Sequence, residues 1–212
     1  MKIQELTDND FLNFKYGDGE MLPYERYKLY QWVKECSPNI ILEVGTGTGA
    51  STFYLAHAQQ ETNPNGKIFT CDPVSRYVNG LEAFKNINFN QITSSEMKAQ
   101  LISSNLIPDF IFFDGPEIED LAFNDLKILE PHLKLGTKFA MHDWENVTRT
   151  YDGSYSIKSL KIRPYIETSP KWKAVEILSG LKINSNKFSP WRNADSVGLC
   201  LYEFCDTGNS KV

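Results

Sequence analysis

Apolar residues along the chain recur at two different spacings. From Tyr24 to Cys36, Tyr24, Tyr27, Leu29, Tyr30 and Val33 recur at mixed three- and four-residue steps, which predicts an amphipathic helix stopped by Ser37-Pro38-Asn39. Ile40-Ile-Leu-Glu-Val44 is a nearly unbroken apolar run, as expected of a strand buried on both faces of a parallel sheet. Ala50 to Ala58 predicts a helix, Asn63-Pro-Asn-Gly66 its closing turn, and Lys67 to Cys71 a second strand ending at Asp72. Glu82 to Lys85 reads as a short helical segment, Phe89 to Thr93 as a third strand and Glu96 to Ser103 as a helix.

Asp109-Phe-Ile-Phe-Phe-Asp114 predicts a fourth strand closed by an acid and Gly115-Pro116, followed by a helix over Leu121 to Leu133 and a fifth strand over Thr137 to Met141. Beyond it come an aromatic and polar stretch from Trp144 to Tyr155, a helical piece around Ile157 to Ile166, and strands at Trp172 to Leu178 and Val197 to Phe204. Alternating strands and helices predict an α/β, doubly wound, mostly parallel sheet of Rossmann-like form. The last two strands are joined by the polar loop Gly180 to Asp195 instead of a helix, so they are expected to close the sheet as an antiparallel hairpin. One domain is expected over residues 1–205, with 206–212 a frayed tail.

At 212 residues the chain is long enough to bury a core without disulfides or a structural metal. A net charge of −5 argues against a nucleic-acid surface, which needs many Lys and Arg on phosphates, and favours a small-molecule partner. Cys36, Cys71, Cys200 and Cys205 lack paired metal-ligand spacing and read as reduced core thiols. The first eight residues carry acids and no apolar leader, and no apolar run is long enough to span a bilayer, so the expected location is the cytoplasm, away from membranes. Asn146-Val-Thr148 matches a glycosylation acceptor, which carries no weight without a secretory signal. The pattern leaves the oligomeric state open, a homo-oligomer included.

The chemistry concentrates in Glu43-Val-Gly45-Thr-Gly47-Thr-Gly49. Glycines between a buried strand and a helix let the backbone turn tightly and approach a ligand at free helix N–H groups. Gly45-x-Gly47-x-x-Ala50 also satisfies a dinucleotide fingerprint, but Glu43 would set a carboxylate near a pyrophosphate, where like charges repel. The same carboxylate suits a ligand carrying an ammonium and a sulfonium. Asp72 is placed to accept hydrogen bonds from ribose hydroxyls, which both kinds of cofactor possess. The plainer reading is a solvated strand-end acid beside a tight turn.

Ile41-Leu-Glu-Val-Gly-Thr-Gly-Thr-Gly-Ala-Ser51 resembles motif I of the class I S-adenosylmethionine-dependent methyltransferases, and the resemblance runs in order from about Tyr24 to Phe204. It implies a seven-stranded sheet with the last strand antiparallel. It also implies that Glu43, Gly45, Gly47, Ser51 and Asp72 line the methionine and ribose ends of S-adenosylmethionine, with Thr46 and Asp114 in the cofactor-facing set. Ser94, Ser95 and Glu96 fall near the adenine, although Gln91-Ile-Thr-Ser-Ser departs from the family's usual Gly-Asp-Ala or Gly-Asp-Ser.

Asp114 and Asp143 follow the fourth and fifth strands and belong to the crevice at the sheet's carboxyl edge, close enough to share a divalent ion such as Mg²⁺. This pair resembles the metal acids of the family 24 and catechol-type small-molecule O-methyltransferases, except that Trp144 stands where Asn or Asp usually follows the second acid. His142 is available as a third ligand, or as the base that removes a hydroxyl proton. Each has a structural alternative: Asp114 as a cap for the next helix, His142 as a satisfied pocket histidine. Trp144, Tyr151, Tyr155 and Trp191 are candidates for a stacking wall over the acceptor, with plain packing the commoner fate of such residues. The expected activity is methyl transfer to a small hydroxylated compound. The rivals are a nicotinamide-dependent oxidoreductase and a non-catalytic binding protein on the same fold.

Overall fold

The computed structural model describes residues 21, 23–74, 81, 84–116, 118–145, 148–149, 155–178 and 198–205. In chain order the elements are α1 (Pro23–Cys36), β1 (Ile40–Val44), α2 (Ala50–Thr62), β2 (Lys67–Cys71), β3 (Ile87–Asn90), α3 (Ser94–Ser103), β4 (Phe110–Phe113), α4 (Glu119–Leu129), a 3₁₀ turn (Glu130–His132), β5 (Lys138–His142), β6 (Thr148–Arg149), β7 (Tyr155–Ser156), α5 (Ser159–Thr168), β8 (Trp172–Leu178) and β9 (Leu199–Phe204).

Seven strands form one sheet in the order β3-β2-β1-β4-β5-β9-β8. The pairs from β3 through β5 are parallel, while β9 runs antiparallel to both β5 and β8. The expected closing hairpin is therefore present. β9 sits between β5 and β8 and is antiparallel to each, as the expected pairing of the last two strands requires. β6 and β7 form a separate two-stranded hairpin that the apolar pattern did not foresee.

The central strands are apolar because helices cover both faces. Every residue of β4, Phe110 to Phe113, is buried. One layer of core joins Leu29, Val33, Phe53, Leu55 and Ile68 beneath α1 and α2, and the other joins Leu42, Ile111, Leu126, Phe139 and Ile162 beneath α3, α4 and α5. Burying one such side chain stabilises the fold by about 1.5–3 kcal/mol.

Element ends shifted where capping chemistry outweighed hydrophobic periodicity. β3 stops at Asn90 because Thr93 begins the next helix: its backbone N–H donates to Glu96 Oε2 at 2.8 Å and its side chain accepts from the Glu96 N–H at 3.3 Å. That capping box starts α3 at Ser94, two residues before the periodicity suggested. Helix α4 starts at Glu119 and gives way to the 3₁₀ turn at Pro131, whose ring lacks the N–H a further α-turn needs. Phe84 and Lys85 are not helical, and residues 82–83 lie outside the described set, as do 206–212. The four thiols are free; Cys71 and Cys200 are buried, whereas Cys36 and Cys205 are only half-buried. Among the described residues no helix is long and apolar enough to cross a membrane.

Candidate functional site

Strand order reverses direction at β1, which has β2 on one side and β4 on the other. In open α/β sheets the crevice beyond the carboxyl ends of such strands is where ligands bind. Both the glycine loop after β1 and Asp114 after β4 open into that crevice.

The loop is held from below. The N–H groups of Gly45 and Thr46 donate to the Cys71 carbonyl at 2.9 and 3.2 Å, and the Thr46 and Thr70 hydroxyls are 2.6 Å apart. Gly45 has φ +95°, and a Cβ there would lie 2.1 Å from the Asp114 carbonyl oxygen. Only glycine permits this backbone contact. Gly115 is as tight, since its Cβ would lie 2.4 Å from Val44 Cγ1. Gly47, by contrast, faces open space, with nothing within 4 Å of the Cβ position. Gly49, also left-handed at φ 83°, caps α2 without a side-chain bond, so the first turn of that helix presents backbone N–H groups. Open space above Gly47 and a helix N-terminus beside it fit a small anionic or zwitterionic ligand.

Asp72 Oδ2 accepts from the Gly47 N–H at 2.8 Å and Oδ1 from the Val74 N–H at 2.9 Å. The acid expected at a ribose thus joins the end of β2 to the loop, and each oxygen keeps capacity for a further hydrogen bond. Glu43 is wholly buried; Ser51 and Thr52 donate to its two oxygens, each at 2.6 Å. Burial pushes its carboxyl up to about 7, against hydrogen bonds from Ser51, Thr52 and Thr70 that lower it, and the nearby Asp114 charge adds to the rise. The carboxylate expected to face a ligand ammonium is therefore closed over by the Ser51 and Thr52 hydroxyls. Ser95, expected near adenine, is exposed, and its hydroxyl donates to Asp125 Oδ1 at 3.4 Å. Asp125 is itself ion-paired with the buried Lys98.

Asp114, His142 and Asp143 come together as expected, with ligand atoms all within 4.8 Å of one another. Asp143 has φ +54°, a left-handed conformation that Asp tolerates better than most residues, and it turns the chain off β5. His142 Nδ1 lies 3.2 Å from Asp114 Oδ1 and 3.5 Å from Asp143 Oδ2, and Nε2 lies 3.1 Å from Glu25 Oε2 of α1. Burial alone would lower the imidazolium, but the charges of Asp143, Asp114 and Glu25 prevail and hold it well above its ordinary value. His142 is therefore a cation at neutral pH with both ring nitrogens engaged. The base expected there has no free nitrogen to offer.

Lys158, just before α5, completes the cluster. Its fully buried Nζ lies 2.7 Å from Asp114 Oδ1 and 2.9 Å from Asp143 Oδ2. Against its own burial, Asp114 is lowered to about 2 by Lys158 first and His142 second. A divalent ion shared by these acids would have to displace this ammonium, so the donor set does not fit a metal with Lys158 in place. The Asp114 side chain is 23% exposed while those of His142 and Asp143 are 1% and 6%, which makes it the member of the trio that solvent reaches.

Sequence reasoning missed Lys158 and Glu25. Glu25 sits in the first turn of a helix, where an acid is ordinary, and Lys158 occupies a pattern that any solvated lysine satisfies. Trp144 follows the commoner of its two readings: it is buried, its ring tilted against Tyr202 at a centroid distance of 5.4 Å, and it belongs to the core instead of a wall over the acceptor. Tyr151, Trp191 and the Tyr155 side chain lie outside the described residues.

Residues 42–144 match the family model Methyltransf_24, described as a methyltransferase domain. A search of curated protein sequences found no match. Among solved structures, the chain is similar to an O-methyltransferase from Bacillus cereus in complex with SAH, at 16% identity and TM-score 0.67, covering 92% of this chain and 87% of that one. It is also similar to the O-methyltransferase TomG from Streptomyces achromogenes, involved in tomaymycin synthesis and in complex with SAM, at 13% identity and TM-score 0.65, covering 93% and 95%. A third similar structure is a caffeoyl-CoA O-methyltransferase assignment from Staphylococcus aureus, at 14% identity and TM-score 0.62, covering 95% and 93%.

Proposed function

We propose that this chain, a class I methyltransferase by its fold and by the domain matched over residues 42–144, transfers a methyl group from S-adenosylmethionine to a hydroxyl of a small molecule. The observation that carries this reading is the direct packing of the glycine loop on Asp114, which puts an open cofactor cradle and a polar cluster side by side at the switch point. Two similar structures hold SAH or SAM and three carry the name O-methyltransferase, which supports the cofactor and an oxygen acceptor.

When bound, S-adenosylmethionine supplies a methyl group on a sulfonium sulfur. The N-terminal turn of α2 and the cradle over Gly47 hold the amino-acid end, and Asp72 accepts from the ribose hydroxyls. Glu43, ionised by a cationic neighbour, adds a stabilising field from below. Asp114, the most accessible acid of the cluster, accepts the acceptor's hydroxyl hydrogen bond and orients its oxygen toward the methyl; such positioning is the protein's main contribution to the rate. As the oxygen gains the methyl its proton becomes strongly acidic, so even a carboxylate held near 2 can take it. Lys158 and His142 keep Asp114 charged and fixed for that role.

Calorimetric titration with S-adenosylhomocysteine and with NAD tests the cofactor. Binding of the former and no heat from the latter is expected; the reverse would make the chain a nicotinamide enzyme and sink the proposal. Transfer from methyl-labelled S-adenosylmethionine to a panel of hydroxylated small molecules, compared with D114N, tests the acceptor. A D114N variant that turns over at the wild-type rate would remove Asp114 from the reaction.

A further inference from the structure

The acids at the carboxyl ends of β4 and β5 are spaced as if for a metal, yet a lysine already bridges them. We propose that Lys158 serves as a built-in cation in the place a divalent ion would take between Asp114 and Asp143, so that this chain operates its acidic pair without a metal. The consequence for catalysis rests on the methyl-transfer reading; the occupancy of the site by an ammonium does not.

Three observations carry the inference. First, Nζ is within hydrogen-bonding distance of one oxygen from each acid, 2.7 Å from Asp114 Oδ1 and 2.9 Å from Asp143 Oδ2, the bridging position a shared ion would hold. Second, those same two oxygens also face His142 Nδ1, at 3.2 and 3.5 Å. Hard divalent ions bind carboxylate oxygen at roughly 2.0–2.6 Å, so an ion on these oxygens would be a third cation pressed against an ammonium and an imidazole. Third, the Lys158 side chain is fully buried at the start of α5, whose first hydroxyl, on Ser159, donates to the Glu145 carbonyl at 2.6 Å. That bond anchors the helix start to the segment following Asp143, so the ammonium is built into the fold and is not a surface lysine that has swung inward.

Lys158 does not reach the crevice itself. It acts through the orientation and charge of Asp114, which makes it a positioning residue. Its three N–H donors can hold two carboxylates at once, as a metal would, but without a ligand exchange site for substrate. The acceptor oxygen is then engaged by Asp114 alone, and the enzyme is indifferent to chelators.

The test is Mn²⁺ binding, read from the loss of the free-ion paramagnetic resonance signal, on the wild type, K158M and K158R, with S-adenosylhomocysteine binding measured in parallel. The wild type and K158R are expected to leave millimolar Mn²⁺ free. K158M, lacking the charge, is expected to gain binding by roughly tenfold or more over the wild type, and to lose the gain when D143N is added. Wild-type binding of Mn²⁺ that D143N abolishes overturns the proposal, as does a folded K158M that binds no ion. If K158M does not fold, the wild-type titration decides alone. Failure of the wild type to bind S-adenosylhomocysteine would count against the methyl-transfer reading and leave the Mn²⁺ result standing.

Discussion

Glu43→Gln should make the protein more stable at pH 8 than the wild type, and less distinguishable from it near pH 4.5. The wild-type carboxyl is raised by burial from its ordinary 4.5 to about 7, so between these values the folded state holds a proton that the unfolded chain has released. Folding stability then falls as pH rises through that window, by about 1.4 kcal/mol per pH unit, and the total lost to this one group is about 3 kcal/mol. Glutamine is neutral at every pH and keeps the shape. Its amide oxygen can accept from one hydroxyl, while its NH₂ donates to the oxygen of the other, with Ser51 and Thr52 each turning to suit. The assay is urea unfolding of both proteins at half-unit steps from pH 4.5 to 8, because subtracting the two curves cancels every other titrating group. The stability of E43Q relative to the wild type should climb by about 3 kcal/mol across the series, most steeply between 4.5 and 7. A difference that stays constant to within about 0.5 kcal/mol would show that Glu43 ionises freely where it lies, and the account of its burial would be wrong.

The same carboxyl predicts proton release on cofactor binding. Near pH 6.5 the binding heat of S-adenosylmethionine should vary with buffer ionisation enthalpy more than that of the thioether product, since both carry the ammonium but only the former adds a sulfonium charge that draws Glu43 toward ionisation; equal slopes would refute it. Gly45→Ala should abolish cofactor binding measured by calorimetry, because its Cβ would sit 2.1 Å from the Asp114 carbonyl at a φ of +95°. His142→Ala should cost about 3–5 kcal/mol in urea unfolding by leaving its buried acidic partners short of one cation. His142 has a raised pKa in the fold, so its contribution is fully present below about 6.5 and disappears as pH rises through the folded value. The wild type should therefore lose stability on the alkaline side, and H142A should show less of that loss. Thr93→Ala should cost about 1 kcal/mol by opening the capping box of α3, with cofactor affinity read alongside to see whether the helix start matters to binding.

Much of this architecture was legible because parallel strands covered on both faces must be apolar along their length. Ile40 to Val44 and Phe110 to Phe113 announced themselves for that reason, and the glycines between β1 and α2 announced a backbone that had to turn sharply. The polar sequence from Gly180 to Asp195, without the apolar period of a helix, pointed to the antiparallel strand. β3 was less legible because it is an edge strand with little buried surface, Asn88 and Phe89 both being exposed, so periodicity had little to report. The trio of Asp114, His142 and Asp143 could be assembled from strand ends alone. Lys158 and Glu25 could not, because their meaning comes from contacts 44 and 117 residues away in sequence, to Asp114 and His142 respectively. A charged residue at a helix start looks the same whether it faces water or a buried partner. The surroundings of Glu43 were hidden for a related reason: its position beside the loop was readable, but the hydroxyls that close over it depend on how Ser51 and Thr52 turn in the folded chain.

The contact between Gly45 and the Asp114 carbonyl limits how this enzyme can be redesigned. A methyl at 45 would need more than an ångström of clearance from a backbone that also carries the acid cluster, and a side chain at 115 would strike Val44 beneath the same loop. On the proposed reading, donor recognition and proton chemistry are thus hinged on one pair of backbones and cannot be tuned separately through them. A library that varies positions 45, 114 and 115 should lose both abilities together. New acceptor preferences have to be sought at positions outside that pair, with these three left untouched as the fixed joint around which the rest of the pocket is varied.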